Sequence, residues 1–290
     1  MNHHVTVGVD GTPQSLSAAR WAAREATLRQ APLRIVHAED WSSGTLIPEL
    51  DPGTRDRWAD EVLGSATDEL KQAYPRLEIS TRRLSGRPSV ALAAEAESAG
   101  LLVLSSRGLG SVVGFIVGSV SLSTLTATET PVVLVRAEED DGESAAATPY
   151  GEIVVGVDIH QSCDRVLAFA FEEASRRDCA LRAVHGWKLP PASGYSPVLN
   201  PSVAREVDRT VAQMLDDMLM PWRLKFPDVR LEEKTFIGSA GRELVQATTG
   251  ADLVVIGRRI RRSPMGTHLG PIAHAVLHHT AAPVAVLAHD

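Results

Sequence analysis

The chain matches itself. Val7-Gly8-Val9-Asp10 returns as Val155-Gly156-Val157-Asp158, and Val36-His37 returns as Val184-His185, each displaced by 148 positions, the distance from Asp10 to Asp158. Further along, Gly86, Leu92, Gly118 and Pro131 return as Gly238, Leu244, Gly270 and Pro283, displaced by 152, the distance from Gly86 to Gly238. The second copy has therefore gained four residues between its second strand and its third segment, and the Pro-rich stretch Pro190 to Pro201 is where they fit. A period near 150 is far above the roughly 20 to 50 residues of a solenoid repeat, so each copy is expected to be a whole domain. The expected boundaries are 1–137 for the first domain and 151–290 for the second. Residues 138–150 join them as a linker, because the stretch Ala137 to Pro149, AEEDDGESAAATP, is acidic and small with no apolar periodicity.

Within the first copy, Val5 to Val9, Leu33 to Ala38, Leu77 to Leu84, Leu101 to Leu104 and Val132 to Val135 read as short strands. Several are continuously apolar, as in strands covered on both faces of a parallel sheet. Helical patterns separate them. Pro13 suits a first helical position after Thr12, and Leu16, Ala19, Ala23 and Ala26 then fall on one face. Arg55 to Tyr74, Ser89 to Ser98 and Val117 to Thr126 supply three more helices. Strands alternating with helices predict an α/β fold: two tandem doubly wound domains, each a five-stranded parallel sheet with helices on both faces. In such sheets ligands bind beyond the carboxyl ends of the strands, where the strand order reverses.

The formal net charge of −7 gives no general attraction for nucleic acid or anionic membranes, so any anion site must be local. No apolar run approaches the roughly 18 residues of a membrane span, and the N-terminal residues do not read as a secretory signal. The two cysteines, Cys163 and Cys179, have neither metal-ligand spacing nor a framework of pairs, which suits a reducing cytoplasm.

The segment that carries chemistry follows the fourth strand: Ser105-Ser106-Arg107-Gly108, nine residues, then Gly118-Ser119 at the start of a helical stretch. Glycines let backbone amides approach an anion with no Cβ in the way. A helix beginning at Gly118 aims free N–H groups and a partial positive charge at phosphate oxygens, and Ser119 adds a hydroxyl. Asp10 closes the first strand, within reach of the same cleft if the first and fourth strands are neighbours, and its carboxylate can accept from a base amino group or a ribose hydroxyl.

These residues, in this order, resemble the universal stress protein family in its tandem-domain bacterial form, over nearly the whole chain. ATP-binding members of that family carry a G-x-x-G-x9-G-[S/T] loop after the fourth strand and an Asp at the end of the first. The first copy matches at Asp10, Gly108, Gly118 and Ser119, with Ser105 in place of the first glycine. A serine fits there if the backbone does not need a positive φ. The resemblance implies that Asp10 and the backbone of Ala38 border an adenine. It implies that Leu104, Ser105 and Gly108 line the ribose and phosphates, and that Gly118, Ser119 and Val120 hold the phosphate tail. The implied ligand is ATP or a related adenine nucleotide, with or without Mg2+, and the implied assembly is a homodimer. The family often pairs through its last strand, here Val132 to Val135 and Val284 to Leu287.

The second copy departs from the pattern. Its corresponding residues are Gly257, Ile260, Gly270 and Pro271. Ile260 puts a branched side chain where an anion would approach the backbone, and Pro271 removes an N–H from the helix start. Asp158 persists, but an Asp after a first strand also braces the turn that follows. Arg258, Arg259, Arg261 and Arg262 surround Ile260. They read as a solvated basic loop, with a guanidinium site for a different anion as the alternative.

Other signals weigh less. His274 and His278 stand i, i+4 on a helix without a carboxylate or cysteine to complete a metal set, so they read as helix-end histidines. His37 and His185 recur at strand ends and are expected to satisfy sheet hydrogen bonds rather than act as bases. Gly108-Leu109-Gly110 with Gly114 misses the dinucleotide spacing by one residue and follows the wrong strand. P-loop and hydrolase-elbow motifs are absent. Trp21, Trp41, Trp58, Trp187 and Trp222 read as packing residues. The expected function is a nucleotide-binding stress-response sensor or regulator with little or no turnover. The alternatives are an interaction module without nucleotide and a slow ATP hydrolase.

Overall fold

The computed structural model describes residues 4–39, 52–106, 117–136, 151–187, 201–260 and 269–289. The chain divides into two units, Met1–Glu143 and Ser144–Asp290. The stretch read as a linker, 138–150, lies outside the described residues.

In the first unit the order is β1 (Val5–Gly8), α1 (Pro13–Arg29), β2 (Leu33–Glu39), α2 (Pro52–Ala73), β3 (Ile79–Ser85), α3 (Pro88–Ala96), β4 (Leu101–Ser106), α4 (Ser119–Ala127) and β5 (Val132–Arg136). The strands are parallel and lie in the order β3-β2-β1-β4-β5. The central strands are buried on both faces: Val5, Val7, Leu33, Ile35, Leu101, Leu102 and Val103 are each at most 1% exposed. Helices α1 and α2 contact each other and the sheet on one side, and α3 and α4 do so on the other. Edge strand β3 is mostly exposed and carries Arg82 and Arg83, charges that blunt a sheet edge against stray pairing.

The second unit repeats this plan. Its elements are β6 (Glu152–Gly156), α5 (Asp164–Arg177), β7 (Ala180–Trp187), α6 (Pro201–Lys225), β8 (Leu231–Ile237), α7 (Ala240–Ala247), β9 (Leu253–Arg259), α8 (Pro271–His279) and β10 (Val284–His289). The parallel order is β8-β7-β6-β9-β10.

Local chemistry explains the helix that follows each first strand. Thr12 is the N-cap of α1, its Oγ1 accepting from Ser15 N at 3.2 Å, and Pro13 pre-sets the first turn. The apolar face is built from Ala18, Ala19, Ala22, Ala23 and Ala26, all 0% exposed, so α1 lies close on the sheet. Gln30 ends it in the left-handed region at φ 51°, as Asp178 ends α5 at φ 50°. Each of these helices also buries a glutamate that the sequence pattern did not single out. Glu25 pairs with Arg29 at 2.5 Å, and Glu173 pairs with Arg177, one turn apart in both cases. A buried carboxylate without its arginine is strongly unfavourable, so the pair persists as a unit.

Strand β4 runs further than its apolar residues do. The apolar run suggested that β4 stops at Leu104, but the ladder to β5 continues through Ser105 opposite Val135 and Ser106 opposite Arg136. Backbone pairing, not side-chain character, decides the strand's end.

Candidate functional site

In the first unit β2 and β3 lie to one side of β1, and β4 and β5 to the other, so the strand order reverses between β1 and β4. A cleft of about 230 Å3 opens beyond the carboxyl ends of these two strands. It collects Asp10, Ala38, Leu104, Ser105, Gly118, Ser119 and Val120, seven of the eight residues expected from sequence. The eighth, Gly108, lies outside the described residues. Sequence reasoning missed Pro88 and Leu92 of α3 and Ser121 of α4, which also line the cleft. The repeat had marked Leu92 as a landmark without giving it a role.

The cleft suits an anion at one end. Gly118 is the N-cap of α4 and brings no side chain to its free amides. The first intrahelical bond runs from Leu122 N to the Gly118 carbonyl, so the N–H groups of Ser119, Val120 and Ser121 have no partner within the helix. Ser121 Oγ donates to the Ser105 carbonyl at 2.9 Å, which fastens the helix start to the end of β4. Ser105 itself is a strand residue, and among the described non-glycine residues only Gln30 and Asp178 have positive φ. A serine at this place is therefore unstrained.

At the opposite wall Asp10 braces its own turn: its Oδ1 accepts from Thr12 N at 3.1 Å and from Thr12 Oγ1 at 2.5 Å. Gly11 follows at φ +80°, a conformation that side chains rarely adopt. Beneath the cleft, a Cβ on Gly8 would come within 2.8 Å of Leu104 Cδ2 and 3.4 Å of Leu92 Cδ2, so the glycine lets α3 and β4 close on β1.

The same place in the second unit is larger and differently built. Its cavity is about 440 Å3. Pro271 stands at the first position of α8 behind the N-cap Gly270, as the sequence implied. Gly257, the retained glycine, lines the cavity but leaves no room for a side chain: a Cβ there would lie 2.7 Å from Cδ2 and 2.8 Å from Nε2 of His289. The Ile260 amide is spent on the His289 carbonyl at 2.8 Å. Asp158 accepts from Gln161 Nε2, and Arg259 Nε donates to Gln161 Oε1 at 2.7 Å, a chain that runs from the end of β6 to the end of β9.

The reading of the arginines as a solvated loop needs correction. Arg258 and Arg259 belong to β9, paired with Ala288 and His289, and Arg258 is buried at 6% exposure. Consecutive arginines do not read as strand, yet the ladder to β10 carries both, with Arg258 turned inward and Arg259 exposed. Arg261 and Arg262 lie outside the described residues.

A fold of this kind hosts many chemistries, so kinship rests on sequence rather than on architecture. The model of the universal stress protein family matches residues 1–136 and again 149–288. The chain belongs to that family. Universal stress protein Rv2005c of Mycobacterium tuberculosis is 30% identical over 294 residues, covering 98% of this chain and 96% of that one. Universal stress protein Rv2623 of the same organism is 31% identical over 290 residues, covering 97% and 95%. Among solved structures, a universal stress protein from Archaeoglobus fulgidus superposes with a TM-score of 0.73 at 16% identity, with all of both chains covered, and so shares the fold.

The remaining candidates of this universal stress protein have local explanations. His37 Nδ1 donates to the Val9 carbonyl at 2.7 Å, and His185 Nδ1 to the Val157 carbonyl at 2.9 Å, so each ring ties a second strand to the end of a first. His274 and His278 share a face of α8 with ring centroids 4.2 Å apart. Burial, and then the neighbouring His278 and His279, hold His274 below the usual histidine range. Trp58 meets the His37 ring edge-on at 4.9 Å, and Trp222 stacks on Phe171 at 5.9 Å. Trp187 lines the second cavity while its Nε1 donates to Asp208 at 3.2 Å. Trp41 lies outside the described residues. Among the described residues no helix is long and apolar enough to cross a membrane.

Proposed function

We propose that the first unit binds ATP or a related adenine nucleotide, and that the protein senses or regulates in a stress response with little or no turnover. One observation carries this reading: Asp10, Ala38, Leu104 and Ser105 meet the uncapped start of α4 in a single cleft at the strand reversal. In this assignment Asp10 and the Ala38 backbone border the adenine. Leu104, Ser105 and Gly108 line the ribose and phosphates, and Gly118, Ser119 and Val120 hold the phosphate tail. At about 230 Å3 the cleft is below the roughly 300 to 1,000 Å3 of most small-molecule sites, so the tail must run out along the N-terminus of α4. Mg2+, where present, is held mainly by the phosphates themselves. The working form in this proposal is a cytoplasmic homodimer, and sedimentation tests its stoichiometry.

Isothermal titration of ATP into nucleotide-free, folded protein is the decisive experiment. One site per chain is expected; no heat at millimolar ATP overturns the proposal. The small first cleft favours one competing reading, an interaction module without nucleotide. Adenine nucleotide released into the supernatant on heat denaturation of freshly purified protein counts against that reading. Turnover well above background would instead support the slow hydrolase.

A further inference from the structure

We infer that the second unit binds a small aromatic acid carrying a hydroxyl or N–H donor, in a cavity that has lost the means to hold a nucleotide. The inference does not depend on ATP binding in the first unit. Several groups that would meet a nucleotide in this cavity are already engaged. Asp158 is held by Gln161, the Ile260 amide by the His289 carbonyl, and Gly257 lies under the His289 ring. What remains is a space of about 440 Å3, inside the usual range for small-molecule sites.

Three features of that space define its ligand. Val157, Leu244, Ile256 and Trp187 form apolar walls, which suit a flat hydrocarbon body. At the rim stand exposed Arg259, fixed through its Nε by Gln161, and the Ile272 and Ala273 end of α8 behind Pro271, a local positive region matched to one carboxylate rather than a triphosphate. His185 then supplies a specific polar demand. It is 5% exposed, it lines the cavity, and its Nε2 is buried with no hydrogen-bond partner among the described residues. Because Nδ1 donates to the Val157 carbonyl, the neutral ring presents an unfilled acceptor at Nε2. A buried acceptor left unmade is unfavourable, and a hydroxyl or ring N–H on the ligand satisfies it.

The test uses 6-hydroxy-2-naphthoate, with 2-naphthoate lacking the hydroxyl and 2-naphthol lacking the carboxylate, titrated calorimetrically into the full chain. The hydroxy acid is expected to bind once per chain, undiminished by excess ATP. Each truncated probe is expected to bind about tenfold more weakly, the loss usual for one charge-assisted or buried hydrogen bond. Arg259→Ala, at an exposed position, should erase the advantage of 2-naphthoate over naphthalene-like probes and keep the hydroxyl effect. Leu244→Trp should abolish binding by filling the cavity, with folding checked by circular dichroism. Three results overturn the inference: no binding by folded protein at millimolar probe, displacement by ATP, or affinity indifferent to Arg259→Ala. The last would place the probe elsewhere, for instance on the exposed Met220 and Leu224 of α6.

Discussion

The two units share a scaffold and differ at one end of it. Both place an Asp after the first strand, a buried histidine at the end of the second, and a glycine where a leucine presses on the first strand. At the cleft, the first unit keeps a helix start whose amides are free of intrahelical bonds, opposite a serine in unstrained strand geometry. The second unit loses one such amide to Pro271, keeps those of Ile272 and Ala273, and engages Asp158 and the Ile260 amide in internal contacts. The difference teaches that residue identity alone does not report a phosphate site. Gly257 looks like the better-preserved member of the motif, yet it is glycine because the ring of His289 lies on it. Ser105 looks like the degenerate one, yet its backbone meets no obstacle.

The sharpest way to break this comparison is to give the first unit the second unit's proline. Ser119→Pro removes an N–H at the start of α4 and should weaken ATP at least about tenfold by titration calorimetry, as loss of a hydrogen bond to a charged group does. Unchanged affinity would mean that the helix start is not the anion site. The scaffold itself should respond alike in both units. Gly8→Ala and Gly156→Ala push a Cβ to 2.8 Å from Leu104 and 2.9 Å from Leu244, and each should cost about 1–3 kcal/mol in urea unfolding. A marked inequality would show that the two cores are not equivalent beneath their clefts.

The converse graft should do less. Ile260→Gly with Pro271→Ser restores the motif on paper, but the His289 ring and the Asp158–Gln161–Arg259 chain remain, so no second ATP is expected by equilibrium dialysis. Ser105→Gly in the first unit should change ATP affinity by less than about threefold, because nothing there demands a positive φ. The smallest effect concerns thiols, which only the second unit possesses. Burial pushes Cys163 up and Cys179 up to about 11, so both stay protonated at neutral pH and should react slowly with a disulfide reagent until urea exposes them.

Much of this was legible in advance. The displaced repeats of Asp10 and Gly118 gave the two units and their element order, because glycine, proline and aspartate occur where backbone geometry leaves few substitutes. The cleft of the first unit could be assembled for the same reason. The ends of β4 and β9 could not, since Ser105, Ser106, Arg258 and Arg259 carry no strand signal and are held by their neighbours β5 and β10. Pro88 and Leu92 were missed because the approach of α3 to the sheet is a matter of packing. The role of Gly257 needed the position of His289, a contact between separate strands that no local pattern encodes.

The histidine that ends each second strand has a practical consequence. A carbonyl acceptor on Nδ1 fixes the neutral ring as the less common tautomer, with the proton on Nδ1 and the lone pair on Nε2. Imidazole nitrogen resonances separate the two tautomers and the cation, and each unit holds one such ring, 2% exposed at His37 and 5% at His185. Selective nitrogen labelling of histidine would therefore turn the duplication into a pair of independent spectroscopic channels, one beside each cleft, able to show which unit responds when any ligand is added.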